Sequence, residues 1–215
     1  MAEMLGNNTL GDCTTAAAFH IDGVMLGNAG SPITWTDAEA IAFYSATSGY
    51  VPGDPSTDQG ADEQTVLNYW RTKGLLSDGS HKIAAWVAVN GNDLDECRTA
   101  IWLFSNLYFG IELPDKWLNP MPQTSGFVWD VAGAPDADNG HAFNACGYDG
   151  QRFKIATWAM TGWLTNAAVS AYATTAGQGE LYTCVSQDWI IKATQMAPPG
   201  FDITQLLADL QAIAY

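Results

Sequence analysis

Two runs in which apolar side chains alternate, His141 to Tyr148 and Gln151 to Trp158, flank the dipeptide Asp149-Gly150. Alternation sends successive side chains to opposite faces of a strand, and Asp-Gly accepts the backbone angles of a two-residue turn. The segment is therefore expected to form an antiparallel hairpin, around which the second half of the chain would build its sheet. Leu107 to Leu113 and Glu180 to Val185 read as further strands, and Leu164 to Tyr172 and Ile203 to Ala214 as helices. The stretch from Pro114 to Asn139 contains four prolines and the anchors Trp117, Phe127 and Trp129. A connection of that length without its own structure is commonly functional, for instance as a cleft wall.

The first half carries the opposite signal. A helix is expected from Cys13 to Leu26, ended by Gly27-Asn28-Ala29-Gly30-Ser31-Pro32. Thr36-Asp37-Ala38-Glu39 is a capping box opening a second helix with Ala40, Ile41, Phe43 and Tyr44 on its apolar face. Asp62 to Lys73 forms a third, turning Val66, Leu67, Tyr69 and Trp70 inward, and is followed by a strand at Ile83 to Val89 and a helix from Asn92-Asp93 to Ser105. Helices first and strands later predict an α+β domain spanning residues 1–215, with a helical lobe at about 1–106 packed on a sheet-rich lobe at about 107–215.

The 23 Asp and Glu against 8 Lys and Arg give a net charge of −15. Such a surface repels phosphate backbones and anionic lipid headgroups, which argues against nucleic-acid and membrane-surface binding. No apolar run approaches the ~18 residues of a membrane span. Met1-Ala2-Glu3-Met4 lacks the regions of a signal peptide, so a cytoplasmic or virion-associated protein is expected. Cys13, Cys97, Cys146 and Cys184 are widely spaced, without the CxxC pairs of a zinc site.

Cys13 follows the Gly/Asn-rich loop Gly6-Asn7-Asn8-Thr9-Leu10-Gly11-Asp12 and opens a helix. Unpaired N–H groups and the helix dipole at such a position favour a thiolate, while Asp12 beside it opposes one. The sequence offers a base in His141, preceded by Gly140, whose missing side chain leaves room for a substrate backbone. Cys97, Cys146 and Cys184 sit among apolar neighbours as small hydrophobes, and His20 and His81 are assigned no chemistry. Asp54, Asp58, Asp62 and Glu63, like Asp130, Asp136 and Asp138, lack the spacing of a calcium loop and read as solvated loop charge.

The Gly/Asn loop ending in a helix-opening Cys13, then Gly140-His141-Ala142 entering a strand, Gly147-Tyr148-Asp149 at a turn and Trp158 ending the return strand, resembles the papain-like cysteine peptidase superfamily. The 128 residues from Cys13 to His141 are close to that superfamily's separation of roughly 130–150. Met4-Leu5-Gly6-Asn7-Asn8, Leu67-Asn68-Tyr69-Trp70-Arg71 and Gly200-Phe201-Asp202 are similar to a little-characterised bacterial and phage group within it. The resemblance implies a thiol hydrolase acting on a peptide or protein substrate, with Cys13 as nucleophile, His141 as its partner and no metal or organic cofactor. It further implies a side-chain oxyanion donor six residues before the cysteine, where Asn7 stands in place of the family's Gln. A turn favouring positive φ is the other reading of Asn7-Asn8. The family's Asn that orients the histidine is missing. Alignment on Trp158 puts Ala156 at that position, and counting from His141 puts Thr157 there, whose hydroxyl can accept the ring N–H. The competing expectation is an inactive papain-like module serving as a binding or structural protein, as an oligomer or a component of a phage particle.

Overall fold

The computed structural model describes residues 3–187, 202, 204–206, 208 and 209. Three helices come first: α1 (Cys13–Asn28), α2 (Asp37–Ser48) and α3 (Glu63–Lys73). Every residue of α1 from Thr14 to Asp22 is buried, so this helix is the centre of the helical half and not its surface. Its Ala16-Ala17-Ala18 run lets neighbouring elements approach closely. The capping box at Thr36 and Glu39 forms, and α3 stops at Gly74, whose φ of +89° is one that glycine adopts at low cost. Asp62 caps α3 by accepting the N–H of Thr65.

Seven strands follow: β1 (Ile83–Ala88), β2 (Leu107–Glu112), β3 (Val128–Trp129), β4 (Gly140–Tyr148), β5 (Arg152–Thr157), β6 (Met160–Thr165) and β7 (Glu180–Ser186). They form one sheet ordered β1-β7-β2-β4-β5-β6-β3, antiparallel except for the short β3–β6 pair. The sheet draws β1 from the helical half of the sequence, so the division near residue 106 is not a boundary in the hydrogen-bond network. Helices α4 (Leu94–Phe104) and α6 (Asn166–Tyr172) complete the fold, with the single turn α5 (Asp115–Leu118).

Two cores lie on either side of the sheet. Tyr108, Ala142, Tyr182 and Cys184 face α1, α2 and α3; Phe109, Phe143, Phe153, Leu164 and Leu181 pack with α4 and α6. Strand β2 is covered on both faces, which is why Leu107-Tyr108-Phe109 is continuously apolar and does not alternate.

Three expectations need correction. The turn lies one position later than Asp149-Gly150: the Asp149 N–H donates to the Arg152 carbonyl at 3.0 Å, leaving Gly150 and Gln151 as its central residues. Tyr148 pairs with Phe153, and the Asp149 carboxylate accepts the N–H groups of Gln151 and Arg152 while binding the Arg152 guanidinium. The segment Leu164 to Tyr172 begins inside a strand, because β6 precedes α6. The connection from Pro114 to Asn139 contains α5, β3 and a 3₁₀ turn at Ala137–Asn139. It packs its tryptophans behind the sheet and lines no part of the cleft described below. The helix expected over 203–214 falls largely outside the described residues.

Candidate active site

Cys13 is the first residue of α1, half-buried, at the floor of an open cleft of about 940 Å³. The start of β4 lies beside it, with Gly140, His141 and Ala142 lining the same cleft. The approach loop is pinned from outside. Both carboxylate oxygens of Asp58 accept the Gly11 N–H at 3.1 Å, and the Tyr44 hydroxyl donates to Asp58 at 2.5 Å. Asp58, expected to be solvated charge, thus fixes the residue two before the nucleophile. The Tyr108 hydroxyl donates to the Thr14 carbonyl at 2.7 Å and ties α1 to β2.

His141 is 8% exposed. Its Nε2 is 2.7 Å from Thr157 Oγ1, and Nδ1 has no hydrogen-bond partner among the described residues. Thr157 ends β5, and the two-residue turn after it places Trp158 and Ala159 at φ +48° and +56°. Bulky residues seldom adopt that region, and the strain is held by what Trp158 packs against. Its ring stacks on the His141 imidazole with centroids 4.3 Å apart, and Trp129, itself stacked on Trp117, supports it from behind. The indole covers the ring whose Nε2 bonds Thr157.

The electrostatics differ from the sequence expectation. Burial pushes the Cys13 thiol up to about 11; the backbone of Ala142 hydrogen-bonds the sulfur and opposes the rise, while Glu63 and Asp12 add to it. Burial alone pushes His141 down to about 3. The resting pair is therefore thiol and neutral imidazole, because lost solvation outweighs the helix-terminus effect expected to favour the thiolate. Asp12 is fully buried, and its carboxyl is pushed up to about 7, chiefly by burial.

Of the expected site residues, Cys13 and His141 line one cleft and Thr157 bonds the His141 ring from outside it, whereas Asn7 does not line it. The Asn7 amide donates to the Leu10 carbonyl at 3.2 Å and to Asp12 Oδ1 at 3.0 Å, so both its N–H groups serve the loop. The stretch does turn, but its positive φ values fall on Leu5 (+59°) and Gly6 (+91°) and on neither Asn7 nor Asn8, so the alternative reading of the two asparagines is not met either. Ala156 pairs with Asn144 across the hairpin and offers His141 no polar group. His20 bonds the Glu3 carbonyl and His81 the Asp22 carboxylate, both away from the cleft. Sequence reasoning missed the acidic wall made by Glu63, Glu112 and Glu180. Glu63 was read as solvated loop charge, and nothing local to Glu180 shows that β7 carries it to the same place.

No protein-family model and no curated protein sequence matches the chain. Its backbone does match solved structures. Xylellain, a cysteine protease from Xylella fastidiosa, is similar with a TM-score of 0.63 at 15% identity, over 82% of this chain and 80% of that one. The Carica candamarcensis cysteine protease CMS1MS2 superposes with a TM-score of 0.56 at 12% identity, over 82% and 89%. Digestive procathepsin L 3 of Tenebrio molitor larval midgut gives 0.60 at 11% identity, over 86% and 66%. The fold is papain-like. In this papain-like fold the helix bearing Cys13 packs against the strand bearing His141, with the cleft between them. Among the described residues, no helix is long and apolar enough to cross a membrane.

Proposed function

We propose that the protein is a papain-like thiol hydrolase that cleaves a peptide, isopeptide or related amide through an acyl-enzyme on Cys13. The observation that carries this reading is the placement of Cys13 and His141 in one open cleft, with Nε2 of the imidazole held by Thr157 and Nδ1 unengaged. The base is thereby oriented by a third group, which is what an activated nucleophile requires.

The neutral resting state assigns His141 the role of general base. As Cys13 Sγ attacks the carbonyl carbon, its proton passes to His141 Nδ1 and an S–C bond forms. The oxyanion is met by the Cys13 backbone N–H, which the Asp12 side chain leaves uncapped at the start of α1. Imidazolium then gives that proton to the leaving nitrogen as the C–N bond breaks. Water, deprotonated by the same nitrogen, attacks the thioester, releasing the acid and restoring the thiol. Every bond and proton in this sequence is handled by groups of the chain itself.

The test is hydrolysis of a peptide pool followed by mass spectrometry. Cleavage products that vanish in Cys13→Ala support the reading, and products unchanged in that variant overturn it. A second reading, a papain-like cleft kept for binding, is favoured by the thiol at about 11 and the imidazole at about 3. It expects peptide capture without turnover, and in that case Cys13→Ala changes nothing.

A further inference from the structure

The cleft has a charge character that the nucleophile and base do not explain. Glu63 at the start of α3 and Glu180 at the start of β7 both line it, as do Asp62 and Glu112, and no Lys or Arg does so among the described residues. Carboxylate oxygens of Asp62, Glu63 and Glu180 all lie within 4.8 Å of one another. Like charges brought that close repel unless a proton or a cation is shared between them.

The backbone is shaped to admit them. Gly110 of β2 pairs with Glu180 on one side and with Ala142, next to His141, on the other. A side chain at position 110 would place its Cβ 2.1 Å from Glu63 Oε1, so the absence of one makes room for the carboxylate beside the reactive strand. Glu180 is oriented by the Tyr182 hydroxyl at 2.5 Å, which in turn accepts from Gln64 Nε2 at 2.7 Å. Thr14, which also lines the cleft beside Cys13, is 4% exposed and has a hydroxyl oxygen with no hydrogen-bond partner among the described residues.

We propose that this cleft selects a positively charged substrate, a peptide carrying Lys or Arg near the bond to be cleaved, with Glu63 and Glu180 as the residues that determine the preference. The inference rests on the cleft being the substrate site of the proposed hydrolase. Burial, and the hydrogen bond with Glu180, push the Glu63 carboxyl up to about 8. Near neutral pH Glu63 thus keeps its proton, and an arriving ammonium or guanidinium supplies a counter-charge in its place.

Equilibrium binding to Cys13→Ala separates this inference from the chemistry. Fluorescein-labelled Gly/Ala hexapeptides carrying two lysines, two glutamines or two glutamates are titrated by anisotropy at physiological salt, which screens the general field of an acidic surface. The lysine peptide should bind about tenfold more tightly than the glutamine peptide. That preference should disappear in Glu63→Gln/Glu180→Gln and persist in Asp78→Asn/Asp95→Asn, which removes two charges outside the cleft. Equal binding of the lysine and glutamine peptides, or a preference that survives Glu63→Gln/Glu180→Gln, overturns the inference. Hydrolysis by the wild-type chain is scored separately. Turnover without charge preference leaves the hydrolase standing and removes the selectivity; preference without turnover does the reverse.

Discussion

His141 Nε2 and Thr157 Oγ1 lie 2.7 Å apart in a buried position beneath the Trp158 indole. In the proposed hydrolase this hydroxyl would orient the imidazole, the part that the family resemblance gives to an amide oxygen. A hydroxyl rotates about one bond, whereas an amide is planar, so the imidazole is held in reach but less rigidly.

Substitution at position 157 tests that role. Thr157→Val keeps the shape and removes the partner, and should lower kcat/KM by roughly 10- to 100-fold, the cost of leaving one buried hydrogen bond to the base unmade. Thr157→Asn should keep or raise activity. Thermal unfolding of both variants shows whether a loss comes from the fold and not from the orientation of the ring.

Cys13 and His141 set a distinctive pH dependence. With the thiol at about 11 and the imidazole at about 3, no ion pair forms between pH 5 and 9. The rate at which iodoacetamide labels Cys13 should therefore climb about tenfold per pH unit across that range, following the thiolate fraction. A rate that is flat from pH 5 to 9 would instead report a preformed thiolate–imidazolium pair.

Asp12 makes stability fall as pH rises. Its carboxyl binds a proton more tightly in the folded chain, at about 7, than in the unfolded one, near 3.8. The stabilisation is complete below the unfolded value and is lost as pH climbs through the folded value. Asp12→Asn keeps the acceptor for Asn7 and removes the titration. It should be more stable than wild type at pH 8, on the order of 3 kcal/mol, with the gap closing toward pH 4. Denaturant melts at the two pH values measure this.

How much was legible in the sequence follows from where each signal resides. The capping box at Thr36, the cap at Asp62 and the stop at Gly74 are local chemistry, and they place α2 and α3 in the sequence as they stand in the structure. Strand β6 was not legible because its turn puts Trp158 and Ala159, in place of Asn-Gly, at positive φ, and because Gly162 interrupts it. That glycine is required by packing: a Cβ there would meet the Phe127 ring at 2.4 Å. Thr157 was one of two candidates until the β4–β5 register brought it to His141. The depressed imidazole and raised thiol are properties of tertiary burial, which no spacing of residues encodes. Asn7 drew attention by its position, yet its amide answers to Leu10 and Asp12, three and five residues away.

The most direct measurement is the reaction of the native chain with a peptidyl vinyl sulfone, which adds only to a thiol that a base can deprotonate within a docked complex. Digestion and mass spectrometry should find the adduct on Cys13, with Cys97, Cys146 and Cys184 unmodified, and His141→Ala should slow its formation by about a hundredfold or more. An adduct formed equally fast in His141→Ala, or found on Cys146 and not on Cys13, would contradict the account.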